Sequence, residues 1–162
     1  MKPYDVNVIV DYVILRLNLD EKASLINLKL QKLLYYLQAW SLGITNERFM
    51  DCSFEAWVHG PVCRVLYDRF KESKSLYSFI EPADIINDKF EEKISLEDID
   101  FINFILDNYA GFSGAELEVM THKEAPWIEA RKGLSPMQGS NNVISESLMQ
   151  EYYGSKWKQI NR

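Results

Sequence analysis

Lys29 to Trp40 reads KLQKLLYYLQAW, and how these twelve residues divide between inside and outside decides the fold. Leu30, Leu33, Leu34, Leu37 and Trp40 recur at three-and-four spacing, which predicts a helix with one buried stripe. Asn27 stands where a capping side chain belongs, and Gly43 where a helix ends. On this reading Lys29, Lys32 and Tyr36 share a neighbouring polar-aromatic edge, open to contact by another molecule.

Upstream, Val6, Ile9, Val10, Val13, Ile14 and Leu17 follow the same helical period, with Asp5 as N-cap and an end near Leu19. The polar DEKAS at 20–24 then connects two antiparallel helices. Downstream the period changes. Phe54, Ala56 and Val58 alternate with Glu55, Trp57 and His59, the pattern of a short strand with two unlike faces. Gly60-Pro61 is expected to end that strand, with Pro61 opening a third helix lined by Val62, Val65, Leu66 and Phe70.

The stretch from Phe70 to Ser95 is polar and without sustained period, so it reads as an irregular connection with a helical turn near Ala83 to Asn87. Ser95 with Asp98, and Ser113 with Glu116, have the spacing of capping pairs. The first opens a helix burying Ile99, Ile102, Ile105, Leu106 and Tyr109; the second opens GAELEVMTHK. Pro126 opens PWIEARKG, which Gly133 closes, and Ser145 caps a last helix after a loop. No internal repeat or low-complexity linker interrupts the chain. The expected fold is mainly α: one compact domain over 1–162, of about six to seven helices, with a short β element around Phe54–His59.

A chain of 162 residues with 47% hydrophobic and 26% charged residues can build a full core. It shows no signal-peptide pattern and no apolar run near the roughly 18 residues of a membrane span, so a cytoplasmic location is expected. Cys52 and Cys63 form no CxxC pair and read as free buried thiols. The net charge of −6 is uneven: residues 1–74 hold ten basic and nine acidic side chains, and residues 75–162 hold eight and fifteen. Glu81 to Asp107 carries most of that excess, including Glu91, Glu92, Asp98 and Asp100, a stretch that repels phosphate backbones and can steer a basic partner.

Catalytic signatures are sparse. No GxxxxGK[ST] or GxGxxG loop occurs, and GFSG at Gly111–Gly114 lacks the spacing of a nucleophile elbow. Cys52, His59, Cys63 and His122 could be assembled into a zinc set, but only His59 and Cys63 are close in sequence. A Cys63 nucleophile with His59 as base lacks a third orienting group. Adjacent or two-apart carboxylates, such as Glu91 with Glu92, do not face each other on a helix. Arg64, Arg69, Lys71 and Lys74, and the terminal KWKQINR, are the basic clusters, yet the acidic balance opposes nucleic-acid binding. What remains is the aromatic content: four Trp, nine Tyr and eight Phe, residue types that anchor protein interfaces.

Four blocks occur in order: LKLQKLLYYLQAW at Leu28–Trp40, FEAWVHGPV at Phe54–Val62 followed by Tyr67, SGAELEVMTHKEAPWIEAR at Ser113–Arg131, and LMQEYY at Leu148–Tyr153. Together they closely resemble the Panacea-domain, SocA-like, phage-associated antitoxin family. The resemblance implies a bacterial or prophage antitoxin, encoded beside a toxin and neutralising it by direct protein contact, as a homodimer or a heterotetramer with the toxin. Toxins served by the family include alarmone-synthetase-like enzymes, at least one member is an adaptor delivering its toxin to a protease, and some relatives carry an extra DNA-binding domain for which this chain has no room. The family tolerates tyrosine or histidine before Gly-Pro, which speaks against a metal or catalytic role for His59. The candidates for partner contact are Tyr36, Trp57, His59, Arg64, Tyr67, His122 and Trp127, with no catalytic residue, cofactor or metal. A small hydrolase using His59, His122 or Cys63, and a DNA-binding autoregulator, stand as the alternatives.

Overall fold

The computed structural model describes residues 1–20 and 24–162, so part of the connection read at 20–24 lies outside the described residues. Among the described residues the chain forms seven α-helices and one two-stranded antiparallel sheet: α1 (Val6–Asn18), α2 (Asn27–Thr45), β1 (Phe54–Trp57), β2 (Gly60–Cys63), α3 (Arg64–Phe70), α4 (Leu96–Tyr109), α5 (Gly114–His122), α6 (Ala125–Ala130) and α7 (Glu146–Ile160). The mainly α architecture and the small β element are as the sequence predicts.

The capping side chains act where their spacing placed them. Asp5 accepts from the Asn7 amide, Ser95 from Asp98, and Ser145 from Leu148. Ser113 and Glu116 exchange bonds in a capping box. Each satisfies a backbone N–H that the first helical turn leaves without a partner.

α2 departs from its expected form. It is the central element, packed against α1, α4, α5, α7 and β2, and every residue from Leu28 to Leu42 is buried. An amphipathic stripe describes a helix with one wet face, and α2 has none over this length. Asn27 is its first residue rather than its cap, a position held by Ile26 without a side-chain bond. Gly43 does not end it either: the helix runs on to Thr45, and Asn46 takes the left-handed C-terminal position at φ 61°. Gly43 instead lies at the crossing with α7, where a Cβ would meet the Gly154 amide nitrogen at 2.7 Å.

Gly60-Pro61 turns the strand back on itself instead of ending it. Trp57 pairs with Gly60 and Ala56 with Pro61, so Pro61 sits in β2 and α3 begins only at Arg64. Gly60 carries φ 101°, a conformation that side chains resist, and its missing Cβ leaves room for the Lys32 stem, which a methyl group would meet at 2.5 Å. On the other edge of β1, the Ala56 amide donates to Asn142 O and the Ile144 amide to Phe54 O, both at 2.8 Å. The long loop before α7 is thereby stitched alongside the hairpin.

The connection between α3 and α4 is irregular, as expected, but its turns are 3₁₀ segments at Pro82–Asp84 and Phe90–Glu92 rather than one helical turn to Asn87. Buried Ile80, Phe90 and Ile94 fasten it to the core. No helix among the described residues is long and apolar enough to cross a membrane.

Candidate functional site

The β-hairpin and the start of α3 bring four of the candidate residues to one place. Trp57, His59, Arg64 and Tyr67 line a surface groove of about 450 Å³, together with Lys32, Val62, Leu76 and the 139–141 segment. Their proximity follows from the chain path: the turn at 58–59 reverses direction, and α3 starts one residue after β2 ends.

Glu55 fixes the aromatic wall. Its carboxylate accepts from the Trp57 indole at 2.9 Å and from the Arg64 guanidinium at 2.9 Å. Arg64 lies over the Trp57 ring, 5.1 Å from its centroid. Tyr67 packs edge-on to the same ring, with centroids 4.9 Å apart, and stays 39% exposed. Three side chains are therefore held in set orientations, and residues ordered in this way lose less entropy in any association.

His59 is exposed at the hairpin turn, 3.0 Å from Glu118 of α5. His122 and Trp127 lie behind the hairpin instead of in the groove. Their rings stack at 4.0 Å, and the Trp127 indole donates to Trp57 O at 2.9 Å. Burial, the largest influence on His122, lowers its imidazole pKa. This pair braces the strand from which Trp57 projects.

Tyr36 requires a correction. It is fully buried, stacked on Tyr109 at 4.1 Å, and its hydroxyl donates to Glu124 at 2.7 Å. Lys29 and Lys32, the other members of the supposed open edge, are 4% and 1% exposed. Lys29 Nζ donates to Ala110 O and Lys32 Nζ to Pro61 O. Neighbouring elements close over α2 on this side too, leaving the three residues no open edge. Spacing within one helix carries no information about how many neighbours surround it.

Lys32 nevertheless belongs to the groove wall, and sequence reasoning assigned it to the wrong setting. Its floor neighbour Gln31 is satisfied by both backbone groups of Cys63, at 2.9 and 3.2 Å. Lys32 has one carbonyl partner and belongs to none of the ion pairs among the described residues. Burial draws its pKa down to about 7.

The basic cluster of α3 is taken up internally. Arg64 pairs with Glu55, Arg69 with Asp11 at 2.6 Å, Lys71 with Asp68 at 3.3 Å and Lys74 with Asp84 at 3.1 Å. Cys52 and Cys63 are free and buried, as read from their spacing. In the acidic stretch Glu91, Glu92 and Asp100 are exposed, whereas Asp98 is engaged by Tyr4, Ser95 and Lys2.

The groove is carried by a hairpin that packs on the central buried helix. The family model described as antitoxin SocA-like, Panacea domain, matches residues 30–128, and the chain belongs to that family. The match takes in α2 from its second turn, the hairpin, α3, α4, α5 and most of α6. No curated protein and no solved structure matches the chain.

Proposed function

We propose that this chain is the antitoxin of a toxin–antitoxin pair, a non-catalytic module that neutralises its partner by direct protein contact through the Trp57–Arg64–Tyr67 groove. Family membership supports the antitoxin role. The observation that carries the surface assignment is the Glu55-clamped aromatic wall, with Trp57 half-buried and Arg64 and Tyr67 exposed, already ordered. Aromatic and arginine side chains held in this way supply a large share of binding energy in protein interfaces. The toxin, of the alarmone-synthetase-like class or another, would be neutralised by occlusion or distortion of its active site.

Co-expression with the product of the neighbouring gene tests the reading. Growth rescue and a complex that co-elutes on gel filtration are expected. Trp57→Ala with Tyr67→Ala should weaken that complex at least about tenfold, since each such anchor contributes upward of about 1 kcal/mol. Absence of both rescue and complex overturns the antitoxin role; a complex indifferent to the two substitutions moves the contact elsewhere.

A further inference from the structure

The groove differs in charge from the rest of the molecule. The chain has 24 acidic against 18 basic residues. Among the described residues no carboxylate lines the groove, which instead contains Lys32, Arg64 and His59. Arg64 and His59 already have Glu55 and Glu118 beside them. Lys32 has no carboxylate at ion-pair distance among the described residues, and its ammonium reaches one carbonyl, Pro61 O, at 3.0 Å. An ammonium has three donors, and a buried one without a counter-charge is costly.

The hairpin is shaped to keep that cation where it is. Gly60 leaves the space through which the stem passes, since a Cβ there would lie 2.5 Å from Lys32 Cε and 3.3 Å from Nζ. Thr121 Oγ1, 3.0 Å from the same point, already donates to Glu118 O at 2.7 Å. The groove thus joins an apolar aromatic wall to a buried amine whose charged form a carboxylate at ion-pair distance would favour.

We propose that the groove receives an acidic segment of the partner protein, whose carboxylate pairs with Lys32 while a neighbouring apolar side chain packs on Trp57 and Tyr67. The inference rests on the direct-binding reading above and names the chemistry of the surface that binds. Charge complementarity selects the occupant: Glu118 acts on Lys32 only from beyond ion-pair distance, an acidic segment would bring a carboxylate into direct contact, and a basic segment would set like charges together. The buried setting strengthens the pair relative to one in water.

The full chain, labelled with ¹⁵N, is titrated with the capped tetrapeptide Glu-Leu-Glu-Phe and with its neutral counterpart Gln-Leu-Gln-Phe at equal ionic strength. The acidic peptide is expected to shift the Trp57 indole and the Gly60, Ser140 and Asn141 amides, and to bind at least about tenfold more tightly than the amide peptide. Lys32→Met should remove that preference while leaving the apolar contact. Equal binding of the two peptides, no shift at these signals into the millimolar range, or an undiminished preference in Lys32→Met overturns the proposal. Acetate alone giving the same shifts with the same strength also overturns it, in favour of a small-anion site. If Lys32→Met does not fold, the acid-to-amide comparison on the unmodified chain decides. A complex with the neighbouring gene product that survives Lys32→Met at full strength defeats this inference and leaves the antitoxin reading standing. No complex with the unmodified chain defeats the antitoxin reading, while the peptide comparison still judges the groove.

Discussion

The Tyr36 hydroxyl donates to Glu124 Oε1 across 2.7 Å, and the Tyr153 hydroxyl reaches the same oxygen at 3.1 Å. One buried carboxyl at the head of α6 thereby ties the central helix to the last one. Two hydroxyl donors favour the charged form, but burial outweighs them and raises the carboxyl's pKa above its usual value.

A raised carboxyl pKa means that the folded chain holds this proton more tightly than the unfolded chain. Its contribution is greatest at acid pH and is lost as pH climbs from about 4.5 through the raised value. Glu124→Gln removes the titration. The stability difference, variant minus unmodified, is expected to increase with pH above about 4.5 in urea unfolding. A difference constant with pH would disprove the assignment.

Lys32 gives the opposite slope. Its folded pKa lies near 7 and its ordinary value at 10.5, so between them the unfolded chain binds more protons and stability rises with pH. Lys32→Met abolishes this term, so any advantage of the variant should be greatest below about pH 7 and shrink toward 10.5. Unfolding curves at several pH values measure it, and parallel pH profiles would count against a buried cation.

Gly43→Ala places a methyl group 2.7 Å from the Gly154 nitrogen and from Tyr153 C and Cβ. Backbone cannot swing aside as a side chain can, and a loss of roughly 1–3 kcal/mol is expected. Gly111→Ala is the control, because nothing among the described residues lies within 4 Å of its added carbon. Thermal unfolding should separate the two; equal midpoints would mean that the α2–α7 crossing tolerates a wider spacing.

Asp11 accepts from Arg69 at 2.6 Å and also from the amides of Ile86 and Asn87 at 3.1 and 3.0 Å. Asp11→Ala strands a buried guanidinium and releases the α3–α4 connection, at a cost of about 3–5 kcal/mol. Adding Arg69→Met should cost less than the sum of the two single changes, because the second removes a charge already left alone. A double-mutant cycle in urea gives the coupling, and strict additivity would refute it.

Local chemistry explains which parts of the fold were legible. Ser95, Ser113 and Ser145 announce helix starts because a hydroxyl and the amide it accepts from are three residues apart. Leu66 and Phe70 mark the buried side of α3 for the same short-range reason. Pro61 misled because both a helix start and a strand without its own amide donor suit proline, and the choice depends on Ala56 across the hairpin. Trp57, His59, Arg64 and Tyr67 could be grouped from sequence since eleven positions span them. Lys32 and Asn141 enter the groove from distant parts of the chain, and no local pattern links them to it.

The Gly43–Gly154 crossing also bears on what counts as a unit in this chain. α7 lies wholly beyond residue 128, where the family match ends, yet it packs on α2 more extensively than any other element does. Its Tyr153 is fully buried among Tyr35, Tyr36 and Trp40. A fragment cut at the matched boundary would bare those rings to water. The family-model match and the packed core thus have different borders here, and a graft or minimised version of this scaffold has to carry α1 and α7 with it.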